Sequence, residues 1–330
     1  MVGVLAALAV VSGAASEGPS TGQPYVVREG LLWPLRAWDA GRYLELARSG
    51  YPADRGGWQY AFFPLWPGLL TLGPASLLGT VVAIPASLAA FLGLGHLSPA
   101  SPRRTAIALA LWPGSFALAM LYPDGLALAL SVAALGCAWR RRYLTAGLLA
   151  AIAATTRPNA WLLVIPLLAV ASERRRAAAW VAAAAPVLAT AAVEVAFAAR
   201  SGSLTATSSA QRAWGRTGPW HLAVELWHAG SRGHVQTVVE VAIAGAIIAL
   251  CVCAWRAFSG PALPLYATAV VTLSLGTGSF QSIGRQSLAA FPLLWLVAAD
   301  RPGLLAHPAA PWLAGALNVG LWFAIALVAP

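Results

Sequence analysis

Asp39, Asp124, Arg157 and Arg285 each border an apolar run, which makes their charge costly and their chemistry conspicuous. Asp39 belongs to the stretch Trp38 to Pro67, WDAGRYLELARSGYPADRGGWQYAFFPLWP, the densest set of acid, base and aromatic groups in the chain. A carboxylate there has two readings. It can cap the start of a helix, or it can accept a proton from an attacking hydroxyl that comes within hydrogen-bond reach. Its company of Trp38, Arg42 and Tyr43 favours the second reading and makes those three residues candidate substrate contacts.

Asp124 has the same pair of readings. In Tyr122-Pro123-Asp124, between two apolar runs, it can cap the next helix or act as a second polar ligand for substrate. Arg157 and Arg285 are lone basic residues at the ends of apolar segments. Such side chains either snorkel to lipid headgroups or present a planar fork of donors to a phosphate. In the latter role they would also stabilise a leaving phosphate as its charge develops.

The elements that must position these groups follow from composition. The 330 residues are 59% hydrophobic and 10% charged, with mean hydropathy +0.71, against about 25% charged in soluble domains. The expectation is an all-α polytopic membrane protein. Its net charge is +10, and arginines supply all of the Lys/Arg charge, since there is no lysine. Because they cluster in short loops between apolar runs, they argue for cytoplasmic loops and against nucleic-acid binding. The lack of lysine and the abundance of Ala, Gly and Pro suggest a GC-rich bacterial genome. Cys137, Cys251 and Cys253 all fall in apolar runs, so neither a disulfide framework nor a zinc site is implied.

Residues Met1 to Ala15 form an apolar run of about 15, read as a first transmembrane helix because no basic residue precedes it as in a signal peptide. From Ala40 to Arg48 the periodicity puts Ala40, Tyr43, Leu44 and Ala47 on one face, with Gly50 and Pro52 to end the helix. This predicts a short helix in the membrane interface, with Tyr43 and Trp38 at headgroup level. Further spans are expected at 76–97, 104–121, 124–139, 143–156, 159–171, 178–199, 237–255, 262–278, 288–300 and 311–328, a bundle of about eleven in all. The segments flanking Arg157-Pro158 read as a broken hairpin or half-helices. The chain is one domain: first helix 1–15, a polar loop 16–59, a helical core 60–199, a loop 200–236 and C-terminal helices 237–330.

Arg103-Arg104, Arg140 to Arg142, Arg174 to Arg176, Arg256 and Arg301 fall in alternate loops, so one threading places them all on the cytoplasmic side. The Trp38 loop, Asp124, Arg157, the loop Arg200 to Gln236 and Gln281 to Ser287 then share the extracytoplasmic side. Glu194 and Glu240, at or near span ends, read as structural polar contacts. Trp214 and Trp220 read as interface anchors. His221, His228 and His234 lack the spacing of metal ligands, so no metal site is assigned. Neither GxxxxGK[ST] nor a GxGxxG between strand and helix occurs, which removes support for a nucleotide-dependent enzyme.

Trp38-Asp39, Tyr43, Ala47, Gly50-Tyr51 and AFFPLWP from Ala61 to Pro67 resemble the signature of the GPI mannosyltransferase 2 (PIG-V) family and its bacterial relatives, in the GT-C class of integral-membrane glycosyltransferases. Later motifs follow in the same order. Tyr122-Pro123-Asp124 stands where the family has Tyr, a small residue and Glu; Arg157-Pro158-Asn159 is similar to its Arg-x-Asn; and Arg285 with Phe291-Pro292 is similar to its Arg-Tyr…Phe-Pro. Asp124 is shorter than Glu, and Gln286 replaces the aromatic after the arginine.

The resemblance implies a GT-C-like bundle, with Asp39 as catalytic base and Asp124, Arg157, Asn159 and Arg285 among the substrate contacts. It further implies inverting transfer of mannose from a polyprenyl-phosphate donor to a lipid-linked or glycan acceptor, on the outer face of a bacterial plasma membrane. No cofactor is implied beyond the lipid-borne donor. A transferase for another polyprenyl-phosphate sugar and a lipid or solute transporter are the rival readings. Transporters place polar groups near the midplane and carry paired repeats, whereas here the polar groups crowd one face and no repeat is found.

Overall fold

The computed structural model describes residues 39–53, 57–212, 216–232 and 235–299, and every regular element among them is helical. The helix expected over 1–15, the span expected over 311–328, and Trp38, Trp214 and His234 lie outside the described residues.

Among the described residues three helices are long and apolar enough to cross a membrane: α3 (Ala75–Leu97), α8 (Ala177–Ser201) and α11 (Val235–Ala257), the last over Thr237–Ala257. Less than a third of each apolar window is buried inside the protein, at 28%, 28% and 22%. The remainder presents Leu77, Val81, Leu88 and Leu92 on α3, Leu188 and Val195 on α8, and Val252 on α11 to the surroundings. Water would not tolerate that much apolar surface, so these helices have the character of membrane spans. Inside them pack the shorter apolar helices α5 (Asp124–Trp139), α6 (Tyr143–Thr156) and α12 (Ala262–Gly276). Buried alanines let helices approach closely, Ala146, Ala150 and Ala153 on α6 with Ala179, Ala182 and Ala183 on α8.

Helix boundaries differ from the sequence reading where proline intervenes. Instead of one span over 104–121, α4 (Pro102–Leu111) stops at Trp112, and a 3₁₀ turn, Ser115–Ala119, follows. Pro113 forces Trp112 out of the helical region, to φ −61° and ψ 133°. Likewise 159–171 divides into a 3₁₀ helix, Pro158–Leu163, and α7 (Val164–Arg174), with Arg157 extended at φ −140° and ψ 135°. The run read as 288–300 begins in a 3₁₀ turn, Ser287–Ala289, and continues as α14 (Pro292–Ala299), while the stretch read as an outer loop just before it forms α13 (Ile283–Gln286). Broken helices leave backbone groups that must find partners, and all three breaks are packed inside the protein.

The first polar stretch forms α1 (Asp39–Ser49), one residue longer at each end than the periodicity predicts. Its buried residues are Ala40, Gly41, Tyr43 and Leu46; Leu44 and Ala47 are half-buried. Tyr43 is therefore packed against protein and not laid open to its surroundings. It is 4% exposed, edge-on to Phe62 at 4.9 Å and 6.5 Å from Tyr122. The apolar face is satisfied by protein, because α1 lies on α2 (Leu65–Leu70) and α3.

The aromatics of AFFPLWP are divided between two cores. Phe62 and Trp66 join the main core, whereas Phe63, together with Tyr60 just before the motif, packs with Val193, Phe197, Ala206 and Ala210 on α8 and α9 (Ala206–Gln211).

Candidate functional site

Both acids singled out in the sequence meet an arginine singled out with them. Arg285 donates from Nη2 to Oδ2 of Asp39 at 2.7 Å, with side chains 12% and 22% exposed. Arg157 donates from Nη1 to Oδ2 of Asp124 at 2.9 Å, with 13% and 4% exposed. Neither acid is held by the capping geometry that sequence allowed. Asp39 is the first residue of α1, and its backbone N–H donates to Tyr122 Oη at 3.2 Å. Asp124 is the first residue of α5, after Pro123, and its Oδ2 is taken by Arg157. Nor do the arginines snorkel to headgroups: each is turned inward to its carboxylate.

Arg285 reaches Asp39 because the break after α4 seats its loop. Trp112 Nε1 donates to Gly284 O at 3.1 Å and to Ser287 Oγ at 3.0 Å. A Cβ on Gly114 would lie 2.3 Å from Arg285 Cα, so only glycine permits this approach. Above the turn, the Arg285 guanidinium lies 4.9 Å from the Tyr122 ring centre, a cation–π contact. Tyr122 thus supports both partners of the pair, through its hydroxyl and its ring.

The loop leading to Arg285 is held by two glutamates. Glu225, on α10 (His221–Arg232), accepts from Ser279 Oγ at 2.9 Å and from Phe280 N–H at 2.8 Å. Glu240 on α11 accepts from Ser282 N–H at 3.4 Å, where Ser282 is left-handed at φ 64°. The structural role read for Glu240 is therefore the observed one. Glu194 accepts from Thr207 Oγ1 at 2.8 Å, also as read.

The two pairs form one electrostatic unit with Arg216. Burial opposes ionisation of Asp39, but Arg285 in contact, with Arg157 and Arg216 farther off, overcomes it and holds the carboxyl below its ordinary 3.8. Burial and the like charge of Arg285 act together on Arg216, lowering it to about 10 despite Asp39 nearby. Burial raises the Tyr43 and Tyr122 phenols, so both remain neutral donors at neutral pH. Such a site holds an ionised carboxylate for proton acceptance and several guanidinium donors for an oxyanion.

The other sequence candidates fall as follows. Arg42 lies 4.6 Å from the centre of the Trp58 ring. Tyr43 lines the core beneath the site. Asn159 is half-buried on the 3₁₀ helix after Arg157, and its amide bonds no other described residue. Trp220 is 70% exposed, consistent with an anchor.

Arg216, Glu225 and the supporting role of Tyr122 were not foreseen. The signal for Arg216 was present, a basic residue in an expected outer loop, but charge in a long polar loop is ordinary. Its burial could not be read from position. No protein family, curated protein or solved structure matches this chain.

Proposed function

We propose that this protein is an inverting membrane mannosyltransferase that uses a polyprenyl-phosphate mannose donor on the outer face of a bacterial plasma membrane. The observation that carries the reading is the ionised Asp39 carboxylate held by Arg285 beside a second acid–arginine pair and a third arginine. The motif resemblance to the PIG-V family supports the donor and sugar.

In this mechanism the acceptor hydroxyl gives its proton to Asp39, and its oxygen attacks the anomeric carbon. The bond from that carbon to the phosphate oxygen breaks, and the phosphate leaves with the electron pair, stabilised by guanidinium donors. No strong general acid is needed, because the leaving oxygen is already part of a phosphate. A neutral Tyr43 or Tyr122 neither competes with Asp39 as base nor adds negative charge near the donor.

An apolar groove of about 500 Å³ lies between α6 and α8, lined by Tyr51, Pro64, Thr155, Ala189, Ala192, Val193, Ala196, Phe197 and Arg200. Its apolar lining suits an isoprenoid chain, and Thr155 on its wall stands two residues before Arg157 in the sequence.

The test is transfer in vesicles containing the purified protein, labelled polyprenyl-phosphate mannose and glycolipid acceptors extracted from a strain lacking the protein. Label in an acceptor for wild type, and none for Asp39→Asn, is the expected result. Failure with mannose but success with an arabinose or galactose donor would replace the sugar; movement of lipid or solute without any transfer would replace the reading.

A further inference from the structure

Arg157 and Arg285 each have a carboxylate within 2.9 Å. Arg216 has none within ion-pair distance among the described residues. Its Nη1 donates to the neutral Gln211 Oε1 at 2.7 Å, and its Nε is buried without a hydrogen-bond partner among the described residues. Glu225, the acid on the neighbouring α10, has both oxygens engaged by Ser279 and Phe280. A half-buried guanidinium with an unused buried donor and no carboxylate in ion-pair contact is an unfavourable arrangement unless something anionic completes it. Arg285 also has a buried Nε without a partner, but its charge is already matched by Asp39.

The position of Arg216 is built into the fold. Gly218 N–H donates to Thr277 O at 3.2 Å. A Cβ on Gly278, at φ +92°, would lie 2.0 Å from Gly218 O. The segment carrying Arg216 is thus laid backbone to backbone on the loop that carries Arg285. Arg285, Asp39, Arg157 and Glu225 are all close enough to bias its charge. Of the three guanidiniums that share the site, Arg216 alone has its charge met only at a distance, by Asp39 and Glu225.

The geometry points to Arg216 as the residue that receives the phosphate oxyanion of the ligand, a role that neither Arg157 nor Arg285 is free to fill while paired. A phosphate ester supplies the oxyanion acceptor that the buried Nε lacks. This inference rests on the proposed function for the ester's lipid, but the anion site itself does not depend on sugar transfer.

Purified full-length protein in detergent would be titrated separately with a short-chain polyprenyl phosphate and with orthophosphate, comparing wild type, Arg216→Gln and the exposed-charge control Arg48→Gln. Arg216→Gln should weaken binding by about tenfold or more, with Arg48→Gln unchanged. It should also leave the unliganded Tm equal or higher, because it removes a buried charged donor that has neither an ion pair nor a hydrogen-bond partner; a structural arginine would lower it. Equal binding by Arg216→Gln, no binding of either probe by wild type, or lost binding together with a lowered Tm would each overturn the assignment. Arg216-dependent binding of orthophosphate alone would keep the anion site and count against the lipid-phosphate donor. Transfer activity with an unaltered donor KM in Arg216→Gln would keep the proposed function and remove Arg216.

Discussion

Arg285 and Asp39, from opposite ends of the described chain, share a 2.7 Å hydrogen-bonded ion pair placed over Tyr122. The contact gives Asp39 a permanent charge and gives Arg285 a fixed orientation. It also sets the pH range in which a base at this position can act.

Asp39 is deprotonated more easily than an ordinary carboxyl, so the acid limb of kcat/KM is expected below pH 3.8. The pair's contribution to folding is complete above that value and is lost as pH falls through the lowered one. In Arg285→Gln the burial effect meets less opposition, so the pKa of Asp39 rises and the limb moves to higher pH. An identical acid limb in both proteins would show that Asp39 is not the titrating base.

Asp39→Asn keeps the shape of the side chain but cannot accept the proton. The expected loss of transfer is about 10²-fold or more, the usual weight of general base catalysis, with helical content and detergent monodispersity retained. Near wild-type transfer would assign the base elsewhere.

Asp124→Ala leaves Arg157 buried without its counter-charge, at an expected cost of about 3–5 kcal/mol. Replacing both, as Asp124→Leu with Arg157→Met, should recover most of that stability without recovering transfer. Thermal unfolding in detergent checks the first part and the vesicle assay the second; a double variant with full activity would make the pair purely structural.

Gly114→Ala places a methyl 2.3 Å from Arg285 Cα and from Gly284 O, both backbone atoms that cannot yield by a rotamer change. The loop must move, at about 1–3 kcal/mol, and Arg285 should lose its alignment with Asp39. The signature is reduced transfer together with an acid limb displaced to higher pH. Unchanged kinetics would mean that the loop can relax without moving the guanidinium.

Several features were legible in the sequence for physical reasons. Continuous apolar runs with few charges compel helices, because lipid offers no partners for backbone groups; α3, α5, α6, α8, α11 and α12 fall within a few residues of where those runs lie. Asp39, Asp124, Arg157 and Arg285 stood out because charge beside an apolar run is costly. Which acid would meet which arginine was not legible, since those contacts join distant segments and no local period encodes them.

Local rules also could not separate one proline from another. Pro85 and Pro186 sit inside α3 and α8 without ending them, whereas Pro113 and Pro158 mark breaks that seat Arg285 and Arg157. Here the tertiary structure decided, because a broken helix persists only where neighbouring backbone and side chains satisfy what the break exposes. The same applies to Tyr43 and Arg216. Their residue types were plain in the sequence, but their burial, and hence their charge state and chemistry, depended on which surfaces closed over them.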